Sequence, residues 1–214
     1  MKAKQIALIL IPLGVAIGII TNIILAYFVY NSVDSEVEFN KEAKVRISEN
    51  VQKLKDLRQV QTKYKQAKGT FADNFESLTH FLENDSISIV KAIGETPDTL
   101  TDDQALELGI ISRDTAYVLA KETVFDEAYL DSRNENFPLD IANLTTVPYS
   151  NEVYSVDADA ISKGKVIVQV FEISTNYGTV FTGLDAENKS YELDALLKVG
   201  SMDEASLNGN WKSE

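Results

Sequence analysis

The sequence predicts an α+β protein in which one long N-terminal helix crosses a membrane and continues as an amphipathic helix packed on a small antiparallel β-sheet. Three observations predict this fold class. Residues 6–30 form an apolar run, residues 33–67 carry apolar side chains at helical spacing, and residues 152–184 change to the alternation of strands. The chain has 214 residues, which leaves about 180 beyond the apolar run for one domain of ordinary size.

The apolar run has the length and the flanks of an uncleaved transmembrane anchor. At 1.5 Å per residue, residues 6–30 are longer than the roughly 30 Å needed to cross a hydrocarbon core. The alternative is a cleaved signal peptide, but its apolar region is usually about 7–15 residues long and ends at small residues. This run ends instead in AYFVY at residues 26–30, which is typical of a membrane interface.

The charges around the run predict its orientation. Lys2 and Lys4 precede it, and acidic residues follow from Asp34 onward. The positive-inside rule then puts the N-terminus in the cytoplasm and the domain outside it. We therefore expect a single-pass membrane protein whose domain is periplasmic or extracellular, divided into an anchor (1–31), a stalk helix (32–69) and a globular domain (70–214).

Gly14 and Gly18 are the candidates for helix packing inside the membrane. They form a G-x-x-x-G pattern, and small residues let two membrane helices approach closely. Glycine is also common in membrane helices without such a partner, so a homo-oligomer formed by this face stays an alternative interpretation.

Residues 32–69 are predicted to form one helix that lies on the globular domain by its apolar face. Gly69 is the predicted C-cap, and Lys65 and Lys68 suit the negative end of the helix dipole. A self-associating coiled coil is the competing interpretation, but the spacing departs from a strict heptad. The apolar face comprises Ile47, Val51, Leu54, Leu57, Val60, Tyr64 and Ala67, and the opposite face comprises Lys44, Glu49, Lys53, Lys55, Asp56, Arg58 and Lys63.

Residues 70–214 are predicted to form the globular domain. A second helical stretch occupies residues 70–93, with Asp73 or Asn74 as its N-cap and Glu76 in a capping box. The last three of the predicted strands form an antiparallel meander, because their short loops cannot connect parallel strands. A loop or weak helix is predicted at 94–114, and strands are predicted at 116–120, 152–161, 165–174 and 178–184.

Tyr64, Gly69, Phe71 and Leu78 carry a resemblance to type IV pilins and type II secretion pseudopilins. In those families the hydrophobic N-terminal helix reaches a tyrosine, then a glycine and an aromatic residue or proline, before a short helix and an antiparallel sheet. The resemblance implies a pilin-like fold and a place in a membrane-bound assembly. The chain departs from the families in lacking their Gly-Phe cleavage site and early glutamate, since no acid precedes Asp34.

Three Asp-Ser/Thr-apolar triplets lie at residues 85–87, 98–100 and 114–116. They are similar to the O-glycosylation sites of Bacteroidota, and the chain resembles inner-membrane proteins of that phylum. The resemblance implies an envelope protein of a bacterial inner membrane with a periplasmic domain.

Composition excludes several classes of function. Beyond residue 30 the chain has 18 basic and 33 acidic residues, and such a surface repels nucleic acids. There is no cysteine, and His80 is the only histidine, so the sequence predicts no metal site, no cofactor and no nucleophilic triad. A calcium site at Asp157-Ala158-Asp159 is the weaker alternative to a solvated strand, because the other positions of a calcium loop are missing.

Phe171, Tyr177, Phe181 and Trp211 are the candidate interface residues, because aromatic anchors are enriched in interfaces. Core packing is the default for aromatic residues on strands, and we expect Trp211 to dock back onto the domain. The sequence thus predicts a non-enzymatic structural or interaction component of an envelope membrane complex. Its partners would be other membrane proteins and, through residues 6–30, the lipid bilayer. The alternative is a ligand-sensing or regulatory ectodomain that acts through a membrane partner.

Overall fold

One helix, α1, runs from Lys2 to Lys68 and forms the axis of the protein. The computed structural model describes residues 2–187 and 189–211, with side chains from Val15 onward except at positions 31–32 and 91–92. Neither proline nor glycine occurs between residues 19 and 68, so nothing interrupts the helical hydrogen bonds between the apolar run and the domain. Gly69 ends the helix with a positive φ of 86°, which confirms the predicted C-cap.

The second half of α1 lies inside the domain. The predicted apolar face is confirmed at its centre, since Leu54, Leu57 and Val60 are at most 1% exposed, whereas Ala67 at its end is exposed. The predicted charged face is also partly buried, because Asp56 is only 1% exposed. Residues 125–154 cover that side of the helix, and polar side chains of α1 hydrogen-bond to them.

Hydrogen bonds with polar side chains of α1 hold residues 132–154, which have no regular secondary structure. Residues 132–154 contain no helix or strand, so their backbone groups need other partners. The Lys53 ammonium donates to the carbonyl oxygens of Asn143 and Thr146 at 2.6 and 2.9 Å, and Tyr154 Oη donates to Asn50 Oδ1 at 2.6 Å. These bonds hold the irregular segment against the helix. Burial of the Lys53 ammonium lowers its pKa.

A two-stranded ribbon follows α1. The helix α2 (Phe75–Asn84) leads into β1 (Ser86–Ile93), and α3 (Asp102–Glu107) lies between β1 and its antiparallel partner β2 (Ser112–Leu119). The predicted helix over 70–93 was therefore right to Asn84 and wrong beyond it, because SISIVKAI is rich in β-branched residues and pairs with β2. The helix α3 lies in residues 94–114, for which the sequence predicted a loop or a weak helix.

The N-cap of α2 is Asn74, one of the two predicted residues. Its Oδ1 accepts the backbone N–H of Ser77 at 2.8 Å. This cap places Ser77 at the third helical position, so Glu76 does not occupy the predicted capping-box position.

A three-stranded antiparallel sheet packs on α1 with the order β3-β4-β5. After the short helices α4 (Ala120–Val124) and α5 (Glu127–Asp131) come β3 (Ser155–Lys163), β4 (Val166–Asn176), α6 (Tyr177–Val180) and β5 (Leu196–Ser201). The two predicted strands at 152–161 and 165–174 are confirmed as β3 and β4.

The predicted strand at 178–184 was wrong, and the third strand is β5. Asn176 ends β4 and caps α6, because its Oδ1 accepts the N–H of Thr179 at 2.7 Å. In β5, Gly200 has a φ of 81°, and a Cβ at this position would overlap the carbonyl oxygen of Phe171 on β4. Only glycine fits there.

Candidate functional site

The N-terminal part of α1 is an exposed apolar helix. From Val15 to Tyr30 every residue is exposed, and the large apolar side chains among them are 49–71% accessible. The helix contains an 18-residue window with a mean hydropathy of 1.6, none of which is buried. Its length and composition are sufficient to cross a membrane. We name residues 15–30 the anchor segment.

Aromatic residues concentrate at the end of the anchor segment nearest the domain. The rings of Tyr27 and Phe28 meet edge to face with centroids 6.1 Å apart, and Tyr30 is 71% exposed. Aromatic side chains with a polar tip suit the boundary between hydrocarbon and water.

Two polar side chains, Thr21 and Asn22, lie in the anchor segment. The Thr21 hydroxyl donates to the carbonyl oxygen of Ile17 at 2.8 Å, and the Asn22 Nδ2 donates to that of Gly18 at 2.8 Å. Among the described residues, Asn22 Oδ1 has no hydrogen-bond donor.

A segment that we name the collar, residues 177–187 and 189–191, holds α1 where the helix enters the domain. The Phe39 ring contacts the rings of Phe181 and Tyr191, with centroids 5.6 and 6.1 Å apart. The Tyr177 ring packs beside the rings of Phe181 and Tyr191. Burial raises the pKa of Tyr177. Four aromatic side chains thus form one apolar cluster around the first buried turn of α1.

Charged groups add directional contacts to the collar. The Lys189 ammonium donates to Glu36 Oε2 at 2.8 Å and lies 5.5 Å from the centroid of the Phe39 ring. This hydrogen bond lowers the pKa of Glu36. Two turns beyond Phe39 on α1, Arg46 Nη1 donates to the carbonyl oxygen of Thr182 at 2.7 Å. The collar therefore restrains both the position and the rotation of α1 relative to the domain.

A buried ionic cluster centres on Asp56. Arg133 contacts both carboxylate oxygens, with Nε–Oδ1 and Nη2–Oδ2 distances of 2.9 and 2.8 Å. Tyr129 Oη and Gln52 Nε2 also donate to Oδ1, at 2.8 and 3.0 Å. The hydrogen bond to Asp56 raises the pKa of Arg133, while burial and then the Asp56 charge raise that of Tyr129. Because every group has a partner, the cluster is a structural feature of the core.

A recess of about 450 Å³ opens between α1, α2, α4 and residues 141–145. Leu57, Val60 and Leu78 form its apolar floor, and Glu83 and Lys121 lie at its polar rim. Small-molecule sites typically have volumes of about 300–1,000 Å³. No cluster of potential metal-ligating side chains occurs in the part of the chain that the structure describes.

The predicted interface residues do not form one exposed surface. Phe171 and Phe181 are 1% and 2% exposed, so both belong to the core. Tyr177 lies half-buried in the collar, and Trp211 is half-buried against the core, where we expected it to dock. None of the four presents a fully exposed ring to a partner.

The membrane-packing candidates lie in α1. No atom lies within 4 Å of the position that a Cβ on Gly18 would occupy. The surroundings of Gly14 lie outside the described residues. His80 is 68% exposed on α2, with Nδ1 3.8 Å from Asp85 Oδ1.

Sequence reasoning missed Arg133 and Lys189. Each makes its principal contact with a residue of α1 that is 77 or 153 positions away. No local sequence pattern links residues so far apart. Asp56, the partner of Arg133, was predicted only as one of several charged residues on the face of α1 opposite the apolar stripe.

The comparisons with known proteins give no family. No protein-family model matches the chain, and no curated protein or solved structure matches it.

Proposed function

We propose that the protein is a single-pass membrane protein whose acidic domain is a non-enzymatic structural or interaction component of a bacterial envelope complex. The observation that carries this proposal is the division of α1 into two parts. The anchor segment is exposed and apolar, whereas the helix from Phe39 onward buries its apolar face against its own domain. A soluble protein would leave a large apolar surface in water, and a bilayer would cover it.

The charge distribution supports an orientation with the domain in the periplasm. Lys2 and Lys4 lie on one side of the anchor segment, and the strongly acidic domain lies on the other. The excess of acidic groups repels anionic headgroups, so the domain stands away from the membrane.

The collar supports a role in positioning. Aromatic packing, the Lys189–Glu36 ion pair and the Arg46–Thr182 hydrogen bond fix the domain to the helix. The direction in which the anchor crosses the bilayer then sets the direction in which the domain faces. Such a coupling suits a component of an assembly, and the long helix packed on an antiparallel sheet supports a pilin-like architecture.

The β1–β2 ribbon is the surface that best suits a protein partner. Tyr117, Val90 and Ile93 are 76%, 62% and 56% exposed. No third strand pairs with the ribbon among the described residues. Two-stranded ribbons are marginally stable alone, and open edges readily accept another strand. We assign this ribbon as the contact with the partner.

Mild-detergent purification of the tagged full chain from native membranes tests the proposal. We expect carbonate-resistant membrane association and stoichiometric recovery of other envelope proteins. The double substitution Val90→Ser/Tyr117→Ser should abolish recovery, while Ile167→Ser, which changes a 73% exposed residue of the other hairpin, should leave it intact. Recovery of the protein alone after crosslinking, or loss from the membrane in carbonate, would contradict the proposal.

A ligand-sensing ectodomain is the second candidate, and the 450 Å³ recess is the observation that favours it. Filling the floor by Val60→Phe would then abolish the response to a ligand. Recovery of a monomer with a bound small molecule from native membranes would favour this candidate over the assembly component.

A further inference from the structure

Asn22 lies deep in the bilayer if residues 6–30 span it, so this inference rests on the proposed function. Residues 6–30 have their centre at residue 18. Asn22 is four residues from that centre, or about 6 Å along the helix. A hydrocarbon core extends roughly 15 Å on each side of its centre, so the amide lies well inside it.

The amide of Asn22 is incompletely satisfied there. Its Nδ2 donates one hydrogen bond, to the carbonyl oxygen of Gly18 at 2.8 Å. Its Oδ1 accepts none from the described residues. Hydrocarbon offers no water to complete these bonds, and for this reason polar groups in membrane helices pair with other helices. The adjacent Thr21 differs, because its hydroxyl is satisfied by Ile17 of its own helix.

The chemistry of an amide selects its partner. A carboxamide contains both a donor and an acceptor. An identical amide therefore complements it, and a two-fold axis between two helices brings the same residue of each copy together. A single polar residue at such a seam is known to fix the pairing of helices.

The helix face around Asn22 permits this approach. Gly18 and Ala26 lie one turn before and one turn after Asn22 on the same face. A Cβ on Gly18 would have no atom within 4 Å, so the space beside the backbone is free. Small side chains on both sides of the amide let two helices come close enough for a hydrogen bond.

We infer that two copies of this chain pair through the anchor-segment face that carries Gly18, Asn22 and Ala26, with their Asn22 amides hydrogen-bonded to each other. The pairing is a symmetric contact within the membrane, separate from the contact of the β1–β2 ribbon with a different protein.

Disulfide scanning in native membranes tests the pairing, because the chain contains no cysteine and each introduced cysteine reports alone. We expect oxidative crosslinking to a dimer for Gly18→Cys, Ala26→Cys and Val29→Cys, which lie on the inferred face. Ile20→Cys and Ile24→Cys lie on the opposite face and should stay monomeric, since a disulfide needs Cα atoms within about 7 Å.

The role of the amide is tested in the Ala26→Cys background. Asn22→Leu should weaken association about three- to thirtyfold, the range expected for one hydrogen bond between membrane helices. Asn22→Gln keeps an amide and should restore most of the crosslinking. Thr21→Val changes an equally deep polar residue that is already satisfied, and it should have no effect.

The outcomes separate this inference from the proposed function. Carbonate-resistant membrane association without crosslinking, equal crosslinking on both faces, crosslinking to a different protein, or insensitivity to Asn22→Leu would overturn the pairing alone. Release of the chain by carbonate would overturn both.

Discussion

Replacing Arg133 by methionine should destabilise the protein by about 3–5 kcal/mol, because it leaves a buried charge without a counter-ion. The Asp56 and Arg133 side chains are 2% and 8% exposed, and two hydrogen bonds of 2.8–2.9 Å join them. In Arg133→Met the carboxylate keeps its bonds from Tyr129 and Gln52. Neither of these neutral groups compensates the charge in a region that water does not reach.

A second substitution separates the charge from the loss of packing. Asp56→Asn in the Arg133→Met background removes the unpaired charge while keeping the shape of the side chain. We expect the double variant to be about 1–3 kcal/mol more stable than Arg133→Met, because only neutral hydrogen bonds stay incomplete. Arg113→Met is the matched control. It removes an ion pair with Asp103 whose side chains are 50% and 88% exposed, and its effect should stay below about 1 kcal/mol.

Urea unfolding of the full chain in detergent measures these effects. Trp211 is the only tryptophan, and it is half-buried against the core, so its fluorescence reports on the domain. Linear extrapolation gives the free energy of unfolding for each variant. The reasoning fails if Arg133→Met costs less than about 1 kcal/mol, or if the double variant is no more stable than the single one.

Three further predictions concern other parts of the domain. The raised pKa of Tyr129 means that the folded protein keeps a proton which an unfolded tyrosine loses near pH 10. Stability should therefore fall as the pH rises above about 10, and Tyr129→Phe should make this fall shallower in urea unfolding at several pH values. Gly200→Ala should lower stability by about 2–4 kcal/mol through backbone strain and overlap, whereas Gly109→Ala, at a φ of 69° in open space, should cost only about 1–2 kcal/mol by thermal unfolding. Phe39→Ala should cost about 3–5 kcal/mol and expose the collar to limited proteolysis, whereas Phe28→Ala, in the exposed anchor segment, should alter neither.

The sequence predicts α1 well, because the helix depends on local features. The features that specify the helix all lie within it or at its end: an apolar run, a stripe at intervals of three and four, the lack of proline and glycine from residue 19 to residue 68, and Gly69 after the last turn. The sheet is predicted less completely. The strand β1 was assigned to a helix because its apolar residues fit both periods. The deciding interaction is with β2, whose paired residues lie 19–33 positions later.

Candidate sites show the same limit. The pattern at residues 178–184 has high β propensity, but the cap supplied by Asn176 starts a helix turn there. Asp56 was placed on the charged face of the helix without a partner, because Arg133 lies 77 positions later. Exposed apolar residues such as Tyr117 cannot be told from core residues by sequence, since both satisfy the same alternation.

If the proposed span forms, the unbroken helix α1 sets how far from the membrane the β1–β2 ribbon begins. An ion pair of 2.7 Å between Lys68 and Asp85 places the start of the β1–β2 ribbon at the far end of α1. With Tyr30 at the lipid–water boundary, the 1.5 Å rise per residue puts Lys68 on the order of 55 Å along the helix. A partner that projects only about 20 Å from the bilayer would then reach the collar but not the start of the ribbon. Under the proposed function, contact with the start of the ribbon therefore requires a partner with a tall extramembrane part or one that diffuses freely in the surrounding space.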